Sequence, residues 1–212
     1  MTADPARPLA ADAVVLVHGL AAHRLVMGTL ARALSRSCRR VVNWGYPSLW
    51  SPIGRQAEKL AALLAEIEAD HPGARIHLVG HSMGGIIARL ALARRLPVRF
   101  GRLVMIAPPN RGSHVATRLA PYLGRICPPL TELTDDPGGF VCTLPPPPVD
   151  ELGIIAASHD FLVPEASTRL GCERDYIVLP GLHSSLLWRR ETAEQVRHFL
   201  ECGRFRHTDG SV

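Results

Sequence analysis

The sequence predicts an α/β fold, a compact, mostly parallel sheet with helices on both faces. Two observations carry that prediction. Several short stretches are continuous apolar runs without polar alternation, the pattern of strands covered on both sides. Amphipathic stretches separate many of them, and strands that alternate with helices pair in parallel. The 212 residues, 47% hydrophobic and 20% charged, suffice for one domain with a sizeable core. The whole chain, 1–212, reads as that single domain.

Taken in order, "AVVLVHG" (13–19) is the first such run and ends in glycine. "RRVVNWGYP" (39–47) is a weaker second strand. In "SPIGRQAEKLAALLAEIEAD" (51–70), Ile53, Ala57, Leu60, Leu64 and Ile67 form one stripe at spacings of three and four, so a helix is expected. Ser51 followed by Pro52 reads as its cap and first turn, and "DHPG" ends it. "RIHLVGHS" (75–82) is the third strand, "GGIIARLALARRL" (84–96) a helix, and "RLVMIAPP" (102–109) the fourth strand. Residues 110–150 break the alternation. Loops this long act as lids or binding loops, so a small lid-like excursion over the sheet's C-terminal edge is expected. It would hold a short helix in "HVATRLAPYL" and a stiff spacer in "PPPP" (145–148). "LGIIAAS" (152–158) and "DYIVLPG" (175–181) are the last strands. "SSLLWRRETAEQVRHFLECG" (184–203) is a closing helix stopped by Gly203, with 204–212 expected to be a flexible tail. No internal repeat is present.

Composition narrows the function. The formal charge of +5 is almost all arginine, Lys59 being the only lysine. The arginines sit in short groups along expected helices rather than in a stripe or tail, so they read as a solvated surface and no nucleic-acid partner is expected. No apolar run reaches the 18 or so residues of a membrane span. The N-terminal "MTADPARPLAADAVV" has no basic segment followed by an apolar core, so a cytoplasmic location is expected. The five cysteines form no C-x-x-C pair, which argues against zinc. Reduced thiols are expected; Cys127 and Cys142 are placed to pair across one loop, a pairing the sequence leaves open.

Gly80-His81-Ser82-Met83-Gly84 fits G-x-S-x-G. Three fixed positions are a weak signal, met by chance in roughly one chain in fourteen of this length. Here the serine falls between a buried strand and a helix, where a sharp turn exposes a nucleophile above the sheet edge. A serine nucleophile needs a base, an acid to orient it and an oxyanion hole. Of ten histidines, His183 alone lies on a loop directly after the last strand, on the same C-terminal edge as Ser82. Asp160 leaves its strand at that edge, whereas Asp150, Glu151 and Asp175 precede theirs and fall on the opposite edge. The order Ser82, Asp160, His183 is the expected triad. Leu20 N–H, after "VHG", and Met83 N–H are the expected oxyanion donors.

"LVHGL", "GHSMGG", "IAPPNRGS", "DFLVPEASTRL" and "IVLPGLHSSLL" together resemble motifs of small bacterial lipase/esterase-type α/β-hydrolases, over roughly residues 13 to 203. The resemblance implies the α/β-hydrolase fold and hydrolysis of a small carboxylic ester through an acyl-enzyme, with no metal or organic cofactor. It also implies that Asn110 and Arg111, in "PPNRGS", line the mouth of the site, and His18 is expected beside the substrate with them. The chain departs from the pattern after the acid strand, where "DFLV" stands in place of Asp-Gly-basic-Val. An acyl-thioesterase or acyltransferase would use the same triad, and a non-catalytic scaffold of this fold is the third reading. Oligomeric state is not legible.

Overall fold

A computed structural model describes residues 7–207. Its six strands are β1 (Ala13–Val17), β2 (Arg40–Trp44), β3 (Ile76–His81), β4 (Phe100–Ile106), β5 (Leu152–Ala157) and β6 (Asp175–Leu179). They form one sheet in the order β2-β1-β3-β4-β5-β6. Every pairing is parallel. The sheet therefore has the architecture expected, and all six C-terminal strand ends lie along one edge.

The apolar runs are explained by what covers them. Side chains alternate between faces along a strand. Val15, Val17, Leu78, Met105 and Ile154 pack on one side, against α2 (Ile53–Asp70) and α3 (Met83–Arg94). Val14, Leu16, Val79, Val104 and Ile155 pack on the other, against α1 (Gly28–Leu34) and α8 (Arg190–Cys202), while the short α7 (Glu165–Thr168) lies in the crossover from β5 to β6. Both sets are apolar because both faces are covered.

Several local expectations are corrected. α1 and the 3-10 turn before it (Arg24–Met27) fill the first crossover, where no helix had been given a range. Ser51 does not cap α2: Pro52 holds the cap position, and the Ser51 hydroxyl is buried with no hydrogen-bond partner among the described residues. Instead Ile53 N–H donates to Glu132 Oε2 at 2.7 Å, so a carboxylate from a distant segment serves the positive helix end. α3 stops at Arg94, with Arg95 extended, ahead of Pro97. The closing helix is two pieces, a 3-10 turn (Ser185–Trp188) and α8, divided by extended Arg189. Gly203 ends α8 in the left-handed region, at φ 71°, as a C-terminal glycine does.

Residues 110–150 form three short helices, α4 (His114–Leu123), α5 (Pro128–Glu132) and α6 (Phe140–Thr143). Cys127, Leu130, Leu133 and Val141 join the core on the α2/α3 side. Buried Arg89 of α3 donates through Nε to the Pro145 carbonyl at 2.7 Å and through Nη2 to that of Leu144. The proline run is thereby fastened to the helix that follows Ser82. The excursion is a wall of the edge, anchored at both ends.

Residues 204–207 also depart from expectation. Phe205 is buried against Phe199, ring centroids 4.8 Å apart, and its N–H donates to Asp175 Oδ2 at 2.6 Å. The rest of the expected tail, 208–212, lies outside the described residues. All five cysteines are free, Cys127 and Cys142 included. No described helix is long and apolar enough to cross a membrane.

Candidate active site

Ser82 sits at the turn from β3 into α3 with φ 53° and ψ −127°. This is a left-handed conformation unfavourable for a residue with a side chain, costing about 1–3 kcal/mol. The Ser82 N–H donates to the Ile106 carbonyl at 2.8 Å. Both glycines of the motif are required by space. A Cβ on Gly80 would stand 2.6 Å from Gly85 N, and one on Gly84 would run into the Val17 and His18 carbonyls. The turn is tight because α3 comes back directly against β3 and β1.

Two other strand ends meet it. Asp160 follows β5, and its Oδ2 accepts from His183 Nδ1, which follows β6, at 2.6 Å. Oδ1 of the same carboxylate accepts from Leu162 N–H and Val163 N–H, each at 2.9 Å. Burial alone would raise the Asp160 carboxyl, but the His183 bond and charge and the two N–H groups carry it below the usual carboxylate range. The bond to Nδ1 leaves Nε2 as the nitrogen free to take a proton. "DFLV" supplies the two N–H donors, so the turn holds its carboxylate without the relatives' glycine. No hydrogen bond joins Ser82 Oγ to His183 among the described residues; the two line one cavity. Such bonds are often open in unliganded sites.

His81, the residue before the serine in G-x-S-x-G, has a contact that the motif alone does not indicate. Its Nε2 lies 3.2 Å from the His183 carbonyl oxygen, with the rings 4.9 Å apart. Burial, ahead of its neighbours' charges, lowers its pKa to about 3, so it stays neutral and Nε2–H donates. It thus ties the strand before Ser82 to the loop of His183. Asp175 lies at the other end of its strand, accepting from Tyr176 N–H, Phe205 N–H and His207 Nε2.

The cavity holds about 400 Å³ and is walled by Leu119, Leu130, Leu133, Val163, Leu187 and Trp188 among others. Gly19 and Leu20 line it too, and a Cβ on Gly19 would stand 3.0 Å from Ser82 Cβ. The loop carrying Leu20 N–H therefore runs against the serine. Met83 opens α3, so its N–H is one of the unpaired donors of a helix start. The excursion expected over this edge supplies a wall through α4 and α5, although its lining residues Ala116, Leu119, Leu130 and Leu133 were not named from sequence.

The expected substrate neighbours are placed differently. His18 is buried, stacked on Tyr46 at 4.2 Å, with Tyr46 Oη donating to the His18 carbonyl at 2.6 Å. It braces the loop of Leu20 from beneath. Asn110 is buried and donates to the Thr168 carbonyl at 2.8 Å. Arg111 is exposed, its N–H donating to the Ser167 carbonyl at 2.9 Å. None of the three lines the cavity. The "PPNRGS" loop supports the site, with Pro109 and Ser113 reaching it.

Known proteins share this arrangement at the level of fold. The chain is 34% identical over 85 residues to "Probable esterase PIR7A" of Oryza sativa subsp. indica, a match covering 39% of this chain and 32% of that protein. The mature lipase BlEst2 of Bacillus licheniformis superposes with a TM-score of 0.62 at 20% identity, covering 88% of this chain and 89% of that one. XC6422 of Xanthomonas campestris, described as an a/b serine hydrolase without lid, gives 0.58 at 20% identity over 93% and 82%. The model of the Alpha/beta hydrolase family matches residues 14–204, nearly the whole chain, and the protein belongs to that family.

Proposed function

We propose that the protein is a serine hydrolase of carboxylic esters, with Ser82 as nucleophile, His183 as base and Asp160 as its orienting acid. The observation that carries this reading is the meeting of a strained, elbow-borne serine with a carboxylate-held imidazole in one apolar cavity. Ser82 Oγ adds to the ester carbonyl as its proton passes to His183 Nε2. Leu20 and Met83 N–H groups stabilise the oxyanion. The C–O bond to the alcohol then breaks, and the alcohol leaves with the proton from His183. Water, deprotonated by the same nitrogen, adds to the acyl-enzyme carbonyl; the bond from the acyl carbon to Ser82 Oγ then breaks, Oγ takes the proton back from His183 Nε2, and the acid leaves. Asp160 keeps the proton of the resting imidazole on Nδ1 throughout. A cavity of this size and lining suits short and medium acyl chains.

The test is hydrolysis of a chromogenic ester series of increasing acyl length, run beside acyl thioesters of the same chains. Turnover of the short and medium esters, with covalent labelling of Ser82 by a fluorophosphonate, is expected. Cleavage of the thioesters alone would replace the ester reading.

A further inference from the structure

We propose that the rim of this cavity is a docking surface for anionic lipid, so that acyl esters enter the site from a membrane or lipid aggregate. The docking itself needs no chemistry; only the fate of what enters rests on the ester reading.

The apolar groups are in the wrong place for an ordinary surface. Leu119, Leu162 and Trp188 line the cavity yet are 40%, 45% and 59% exposed. Their surroundings continue the apolar face outward: Phe161 is 74% exposed, and Tyr122, one turn beyond Leu119, is 82% exposed. Leu25, beside the lining residue Val26, is 76% exposed. On the ten-residue helix α4 only Ala116 is buried, so its apolar side faces out. Exposed apolar residues scattered singly are unremarkable, but Leu119, Leu162 and Trp188 ring one opening, with further exposed apolar residues on the same segments, and such a cluster marks an interaction surface. Tryptophan and tyrosine are the residues that settle at a lipid–water boundary.

Charge names the partner. The four segments that build the rim (20–28, 109–127, 158–164 and 181–190) contain six arginines and one acidic residue, Asp160. That carboxylate is buried against His183. Arg189 and Arg190 pair with Glu191 and Glu194. Arg111, Arg118 and Arg125 are exposed and form no ion pair among the described residues. Asp135 reaches α4 from outside these segments and is hydrogen-bonded to Thr117. An apolar ring with an excess of arginine fits an anionic headgroup layer over acyl chains. A lipid surface also leaves the cavity open to an acyl chain, which a protein seated on the ring would close off.

Co-sedimentation with vesicles tests this, using the full chain as Ser82→Ala so that no lipid is consumed. Binding is expected to an equal mixture of phosphatidylcholine and phosphatidylglycerol, weaker to phosphatidylcholine alone, and reduced by salt. Arg118→Ala/Arg125→Ala should weaken it roughly fivefold per arginine. Leu25→Ser/Tyr122→Ser should weaken it by about tenfold or more. With Ser82 intact, both double variants should turn over a soluble short-chain ester as the parent does. A parent that cleaves the soluble ester but binds no vesicle overturns the docking surface and leaves the esterase standing. Vesicle binding by a chain inactive on every ester does the reverse. Vesicle binding unchanged by both double variants, or a dimer that Leu25→Ser/Tyr122→Ser dissolves in a chain that ignores vesicles, also overturns it.

Discussion

Single side chains decide the chemistry, and strand polarity decides which. Asp160 and Asp175 both precede His183, but one leaves β5 at the cavity edge and the other enters β6 at the far edge. Asp160→Asn should cost ~10²–10⁴ in turnover, because the imidazole loses the carboxylate that fixes its tautomer. Asp175→Asn should stay within about threefold of the parent, under ~1 kcal/mol of barrier. It should lower the unfolding midpoint, since it bonds Phe205 N–H and His207. Ester kinetics with thermal melts separate the two; the opposite ranking would reassign the acid. Ser82→Ala should abolish turnover and probe labelling without loss of stability, as the hydroxyl makes no hydrogen bond among the described residues and the turn is strained. The placement of Ser82, Asp160 and His183 along one sheet edge was legible because each follows directly from a strand end, while their roles rest on the proposed function. His18, Asn110 and Arg111 were not, because a residue next to a cavity in sequence can point under it, and only packing decides that.

At the scale of elements, the strands were legible to within a few residues, since burial on both faces writes itself as an unbroken apolar run. Caps were less so. Ser51-Pro52 is a sound local signal for a helix start, yet Glu132 from α5 serves it instead, a contact across 79 positions of chain. No local pattern encodes such a partner. Burial raises the Glu132 carboxyl, with the Ile53 N–H opposing, so the contact is desolvated rather than a surface pair. Glu132→Ala should therefore cost about 1–3 kcal/mol, the penalty of leaving a helix-start N–H unmatched. Glu132→Gln, which keeps an acceptor, should cost less than half of that. Urea unfolding at neutral pH measures both. Equal loss in the two variants would mean that packing, not the hydrogen bond, joins α5 to α2. α1 was missed for a related reason: its seven residues are too few for a periodic stripe to stand out.

Across the whole molecule, the fold keeps three imidazoles inside and neutral, and that sets its response to acid. Burial lowers the pKa of His18, of His77 and of His81, the last to about 3; for His77 the Asp12 hydrogen bond opposes the shift without cancelling it. Protonation would leave His18 Nε2 and His81 Nδ1, both buried and without a partner among the described residues, as charged donors with no acceptor. The unfolded chain takes up these protons near pH 6.5, whereas the folded chain does not until lower pH. Below 6.5 the unfolded state thus binds more protons, so stability falls as pH falls, until each folded-state value is passed. His81, whose folded value lies lowest, contributes a slope of up to ~1.4 kcal/mol per pH unit, and His18 and His77 add in the same direction. Asp12 and Asp160 behave otherwise. Their pKa values are depressed below 3.8, so their contribution is intact above that value and is lost only beneath it. Acid unfolding should accordingly begin well above the carboxylate range, with the urea midpoint dropping between about pH 6.5 and 4.5. Far-UV circular dichroism across that interval gives the readout. A midpoint constant down to pH 4.5 would show that these imidazoles accept protons within the native fold, and that the packing around His18, His77 and His81 opens to admit water.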